Sequence, residues 1–160
     1  MKAVIASLAL VAVPAPQNAW AEEIHGYWRV ERGDAIVEAG PCRAPMGEGD
    51  LCAAVVWYKD DAGEVNTPSA VDARNTEETL QARPICGLPI LWGLRARGKD
   101  NAFKAGFVYD AFVGETYRVN VRLDGPVLRV RGYLGTPAIG RTERWERPEV
   151  PFERCDEDAS

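Results

Sequence analysis

TYRVNVRLDGPVLRVRGYL, residues 116–134, decides the fold. Tyr117, Val119, Val121 and Leu123 alternate with Arg118, Asn120 and Arg122, so one face is apolar and the other polar. That period of two belongs to a half-buried strand. Asp124-Gly125 follows, the two-residue signature of a tight hairpin. Pro126 then stands at a strand start, where its missing N–H is tolerated. From Val127 the alternation resumes, with Leu128, Val130, Gly132 and Leu134 opposite Arg129, Arg131 and Tyr133. A two-stranded hairpin is marginal in water, so its apolar face must find further strands.

Those strands are present on both sides. Ile24 to Arg32, Ala35 to Glu38 and Leu51 to Lys59 precede the hairpin, as do Ile90 to Arg97 and Phe103 to Tyr109; Ile139 to Arg147 follows it. Turn residues separate them: Arg32-Gly33-Asp34, Gly40-Pro41, Asp60-Asp61-Ala62-Gly63 and Gly98-Lys99-Asp100-Asn101. Eight consecutive strands with mostly short turns bury best as an eight-stranded antiparallel up-and-down barrel, which leaves no open edge. A two-sheet sandwich is the alternative, and its crossovers would need longer connections. One short helix is expected in the long loop from Val65 to Pro89, at Asn75 to Gln81. There Asn75 would cap it and Glu78 would complete a capping box.

The ends read differently from the middle. Met1-Lys2, the apolar run Ala3 to Val13, Pro14 and Pro16, and Ala19-Trp20-Ala21 form the pattern of a signal peptide cleaved after Ala21. The apolar run is too short for a membrane span, and no later stretch makes a transmembrane segment. The expected organisation is therefore a signal peptide over 1–21, a barrel domain over 22–147 and an acidic tail over 148–160. The chain carries a formal charge of −5, which argues against nucleic acid as a partner. The charge is uneven: residues 22–88 hold 6 basic and 13 acidic side chains, residues 89–147 hold 11 and 6.

Four cysteines, Cys42, Cys52, Cys86 and Cys155, suggest disulfides in an exported chain. Three connectivities are possible. Cys42 and Cys52 flank a Gly- and Pro-containing stretch of loop character, which favours pairing them and leaves Cys86 for Cys155, tying the tail to the body. The spacings match no common zinc motif, and the one histidine, His25, stands alone.

A set of residues running from the first strand to the last carries a family resemblance: Gly26 and Trp28; Cys42, Cys52 and Trp57; Asp72 and Asn75; Arg83-Pro84 and Gly87; Gly106, Tyr109-Asp110, Gly114 and Tyr117; Arg131-Gly132-Tyr133, Gly135, Gly140-Arg141-Thr142, Trp145 and Arg147. In these the chain resembles the exported bacterial family called domain of unknown function 2147. The resemblance implies a lipocalin-like fold and no established activity. Ala53 stands where the family usually has Gly, and Ala111 where a Pro usually follows Tyr-Asp. Gly26-x-Trp28 is also similar to the opening signature of lipocalins, in which the Trp closes the barrel bottom under an Arg of the last strand. Here Arg144 or Arg147 would take that place.

Catalytic motifs are lacking. There is no G-x-S-x-G, P-loop or H-E-x-x-H, and no cofactor or metal site is expected. Asp60, Asp61, Asp72 and Asp110 occupy turns. Asp72 and Asn75 are the best polar candidates for a site, against a structural role in ordering the loop. The inferred inward faces carry Trp28, Trp92, Phe103, Phe107, Tyr109, Tyr117 and Trp145, and small barrels with such linings hold one small ligand. Trp28, Trp92, Phe107, Tyr109, Tyr117 and Arg141 are therefore the expected ligand-binding residues, for an apolar or amphipathic molecule. Arg141 shares its strand face with Glu143 and Trp145, so an acidic head group or Glu143 would pair with it. A second reading is a filled barrel whose outer arginines, Arg118, Arg122, Arg129 and Arg131, meet an acidic protein of the cell envelope. A third is a carbohydrate hydrolase with two carboxylates in an open cleft.

Overall fold

Residues 19–98 and 101–156 are described in the computed structural model. The expected signal peptide lies outside them except for its last three residues, which open a short helix α1 (Ala19–Ile24). Two residues of the expected turn after the fourth strand, 99 and 100, also lie outside. Eight strands follow α1: β1 (Gly26–Arg29), β2 (Ala35–Gly40), β3 (Leu51–Tyr58), β4 (Pro89–Ala96), β5 (Ala102–Asp110), β6 (Glu115–Asp124), β7 (Val127–Tyr133) and β8 (Gly140–Glu146). Each pairs antiparallel with the next and β8 returns to β1, so the barrel is closed. The hairpin read first pairs Arg118↔Tyr133 through Asp124↔Val127 without a slip.

Burial follows the alternation at Val119, Val121, Leu128 and Val130, all buried; at the end of β7 it does not, since Tyr133 is buried and Leu134, read as inward, is exposed past the strand. Trp145 lies opposite Leu128 and Glu143 opposite Val130. Leu128, Val130, Val121 and Trp145 are all core residues, so Glu143 and Arg141 share their inner face.

The long connection from residue 59 to residue 88 differs from expectation. Its one helical turn is a 3-10 turn, Glu78–Leu80, with no side-chain cap. Asn75 is spent elsewhere: its Oδ1 accepts the Glu77 N–H at 2.8 Å, and its Nδ2 donates to Asp72 and to the Tyr109 hydroxyl, both at 2.9 Å. The Oδ1 that a cap would use serves the Glu77 N–H, just ahead of the 3-10 turn, so Glu78–Leu80 begins without a side-chain cap.

Disulfides join Cys42 to Cys52 and Cys86 to Cys155. The second ties the tail to the start of β4. The tail is held further by Arg154, which donates to Glu38 and to the Tyr27 hydroxyl, and by Phe152, which packs edge-on against Tyr27. No helix among the described residues is long and apolar enough to cross a membrane.

Candidate functional site

Strand direction gives the barrel two unlike ends. At one end lie the start of β1 and the end of β8. Trp28 is buried there, its indole N–H donates to the Ile24 carbonyl at 2.7 Å, and the Arg147 guanidinium covers its ring at 3.8 Å from the centroid. Of the two arginines considered for that place, Arg147 fills it. Inward Leu51, Leu94, Phe103, Leu123 and Leu128 pack the same half of the barrel.

The other half is hollow. A cavity of about 770 Å³ opens between the turns β1–β2, β5–β6 and β7–β8 and the long loop. Val30, Ala35, Val55, Val108, Val130 and Gly132 wall it, Trp145 contributes to its lining, and Tyr117, Arg141 and Glu143 bring the polar atoms from β6 and β8. The mouth carries exposed apolar side chains on three segments: Val71; Phe112 and Val113; and Leu134 and Ile139, the last two 65% and 71% exposed. Phe112 is held between Arg32 and Arg74, whose guanidinium carbons stand 3.7 and 4.4 Å from its ring centroid.

Arg141 faces inward, as its parity with Trp145 requires, but it stands at the mouth and is exposed rather than buried. The expected ion pair with Glu143 is not made. Glu143 accepts the Trp145 indole N–H at 3.0 Å, and among the described residues the Arg141 guanidinium has no hydrogen-bond or ion-pair partner. Lining the cavity with Arg141 are Tyr109 and Tyr117.

Three expected lining residues lie elsewhere. Trp28 is in the plug at the opposite end. Trp92 and Phe107 are on the outside of the wall, stacked on each other with centroids 5.8 Å apart. Two matched irregularities put them there. Leu91 and Leu94 are both fully buried core residues although three positions apart, with Gly93 at φ +71° between them. Phe103 and Val108 both face inward although five apart, with Ala105 at φ +64° between them and a register shift before Gly106. An inserted residue inverts the in/out parity beyond it. Trp92↔Phe107 and Arg95↔Lys104 remain paired because both strands are inverted together. Val108, read as outward, thereby becomes a wall residue. The signal that could have found this is Gly93 and Gly106, isolated glycines inside strands. At Gly106 a Cβ would come within 2.7 Å of the Trp92 carbonyl oxygen.

Asp72 forms the fixed point of the mouth. Its side chain is fully buried, and its carboxylate accepts from the Tyr109 hydroxyl at 2.6 Å, from Asn75 at 2.9 Å and from Arg83 Nε at 2.9 Å. Arg83 also lies over the Tyr109 ring, 4.9 Å from its centroid. Burial, and then the bond to Asp72, push the Tyr109 phenol up to about 12. Every buried side-chain polar atom of the set has a partner within the described residues, which is the signature of a structural clamp on the loop.

Comparison with curated proteins finds no match. Among solved structures, the chain is similar to protein HP1028 from Helicobacter pylori, described as belonging to the lipocalin family. The TM-score is 0.61 at 21% identity, over 79% of this chain and 83% of that one. At that identity the likeness establishes the fold, which is lipocalin-like. The sequence pattern of the family described as uncharacterized protein conserved in bacteria (DUF2147) matches residues 26–147, from the glycine that opens β1 to the arginine over Trp28. The chain belongs to that family.

Proposed function

We propose that the chain is an exported, non-catalytic binding protein that holds one small amphipathic molecule in the open half of its barrel, acidic head group toward Arg141. The observation that carries this reading is the cavity: about 770 Å³, walled largely by apolar side chains and ending at a guanidinium that has no hydrogen-bond or ion-pair partner among the described residues. That volume suits a drug-sized ligand. A planar guanidinium holds a carboxylate by two hydrogen bonds. Tyr117 stands on the same inner surface. Export rests on the signal-peptide pattern of residues 1–21, and the two disulfides fit an oxidising compartment. Cleavage after Ala21 would retain Ile24, the residue that accepts the Trp28 indole bond. The filled-barrel alternative is disfavoured by the void above Trp145.

The test is binding of a fluorescent fatty acid and of the matching fatty alcohol. The native protein should bind the acid at one site. Arg141→Gln should weaken it about tenfold, the worth of one charge-assisted contact, with an unchanged melting temperature because no protein partner is lost. Equal affinity for acid and alcohol in the native protein would remove the head-group role of Arg141. Failure to bind either would end the reading.

A further inference from the structure

The outer wall of β4–β8 carries cations in register. Arg122 is paired with Arg129, and Arg129 with Arg144, so three guanidiniums stand on three adjacent strands, about 5 Å from one strand to the next. Arg95 and Lys104 form a further cation pair on β4 and β5. Like charges directly opposite each other destabilise a sheet. The chain is acidic overall, so this row is not its average surface.

Few carboxylates answer it. Asp124 pairs with Arg129 at 2.6 Å, and Asp50 with Arg95 at 3.5 Å. Arg131 is spent on the carbonyls of Pro137 and Ala138 and on Thr142. Glu31 reaches Arg144 through its backbone N–H, and Glu146 lies one row away, opposite Val127. Among the described residues the side chains of Lys104, Arg122 and Arg144 have no hydrogen-bond or ion-pair partner. Asp124 is held below the usual carboxylate range by Arg129 first and then by Arg122 and Arg144.

The same wall carries the stacked Trp92 and Phe107, inverted outward by the two bulges, with Arg118 4.6 Å from the Phe107 centroid. Aromatic rings and a row of guanidiniums on one wall, with Arg118 opposite Phe107 and Arg122 four residues or about 13 Å further along β6, match one chemistry in particular. The flat C–H faces of pyranose rings stack on aromatic side chains, while carboxylates or sulfates spaced along the chain meet successive arginines. We propose that this outer wall binds an acidic polysaccharide, independently of whatever occupies the barrel.

The test uses oligogalacturonate and polyglutamate of equal length, which present the same charged group on a sugar and on a peptide backbone. At low salt the native protein should bind oligogalacturonate about tenfold more tightly than polyglutamate, and binding should fall as salt rises. The double variant Arg122→Ser, Arg144→Ser should lose about tenfold or more of that affinity. Its melting temperature should be equal or higher, because the repulsion in the row is relieved. Trp92→Ala should weaken oligogalacturonate and leave polyglutamate unchanged. Equal binding of the two polymers would make an acidic protein the partner and overturn the glycan. Absence of binding, or a double variant that binds as the native protein does, would overturn the surface altogether.

Discussion

The two halves of this barrel are built from the same eight strands, yet one is solid and the other hollow. In the closed half the inward residues are large: Trp28, Leu51, Leu94, Phe103, Leu123 and Leu128. In the open half they are mostly valine, alanine and glycine: Val30, Ala35, Val55, Val108, Val130 and Gly132. The closed half is held by apolar packing under Arg147. The open half is held at its rim, by a buried carboxylate that pins a loop. Strand pairing therefore makes the wall, and side-chain volume, summed around it, decides which end is core and which is site.

Breaking the closed half should cost most. Trp28→Ala removes the largest plug residue and leaves a cavity, so unfolding in urea should show a loss of about 3–5 kcal/mol. A loss below 1 kcal/mol would mean that the plug does not hold this end. The clamp at the open half should come next. Asp72→Ala leaves the Tyr109 hydroxyl and Asn75 without their acceptor and Arg83 without its counter-ion, for about 3 kcal/mol. Hydrogen exchange should localise the loosening to residues 66–86, whereas Trp28→Ala should loosen all strands together.

The clamp also has a pH signature. Tyr109 is raised in the folded state from 10.0 to about 12, so its contribution is whole below pH 10. Above pH 10 the unfolded chain releases a proton that the folded chain still holds, and stability falls until the folded phenol ionises near 12, by about 2–3 kcal/mol in all. The stability gap between native protein and Tyr109→Phe should narrow as pH rises from 10 toward 12; a constant gap would detach Tyr109 from the clamp.

The smallest change in stability should carry a large change in function. A Cβ added at Gly132 meets Val108 Cγ1 at 3.6 Å and Tyr117 Cβ at 3.9 Å, ordinary contacts. Gly132→Leu should thus fill the open half with a change of under about 1.5 kcal/mol and abolish fatty-acid binding. Undiminished binding would place the ligand outside the cavity.

Much of the candidate site was legible in part. Arg141 was placed on the inner face by parity with Trp145, because β8 runs without a bulge. Its exposure at the mouth was not legible, since depth along a barrel depends on where seven other strands end. Trp92 and Phe107 were assigned inward by the same rule that succeeded for β6, and the rule failed at Gly93 and Ala105. The helix expected at Asn75 rested on a local capping pattern; instead Asn75 Oδ1 turns the chain at Glu77 and its amide ties the loop to Asp72 and to Tyr109, a strand residue distant in sequence.

The sequence by itself determined the strands, their antiparallel order and the closed barrel. Those follow from alternation, turn residues and short connections, all local along the chain. The tertiary structure alone decided which aromatics face the ligand space, how the loop is clamped and that half of the barrel is empty. A bulge inverts parity only where neighbouring strands accept the extra residue, and a cavity is the volume left over by residues from every strand at once. Neither quantity is carried by any one stretch of the chain.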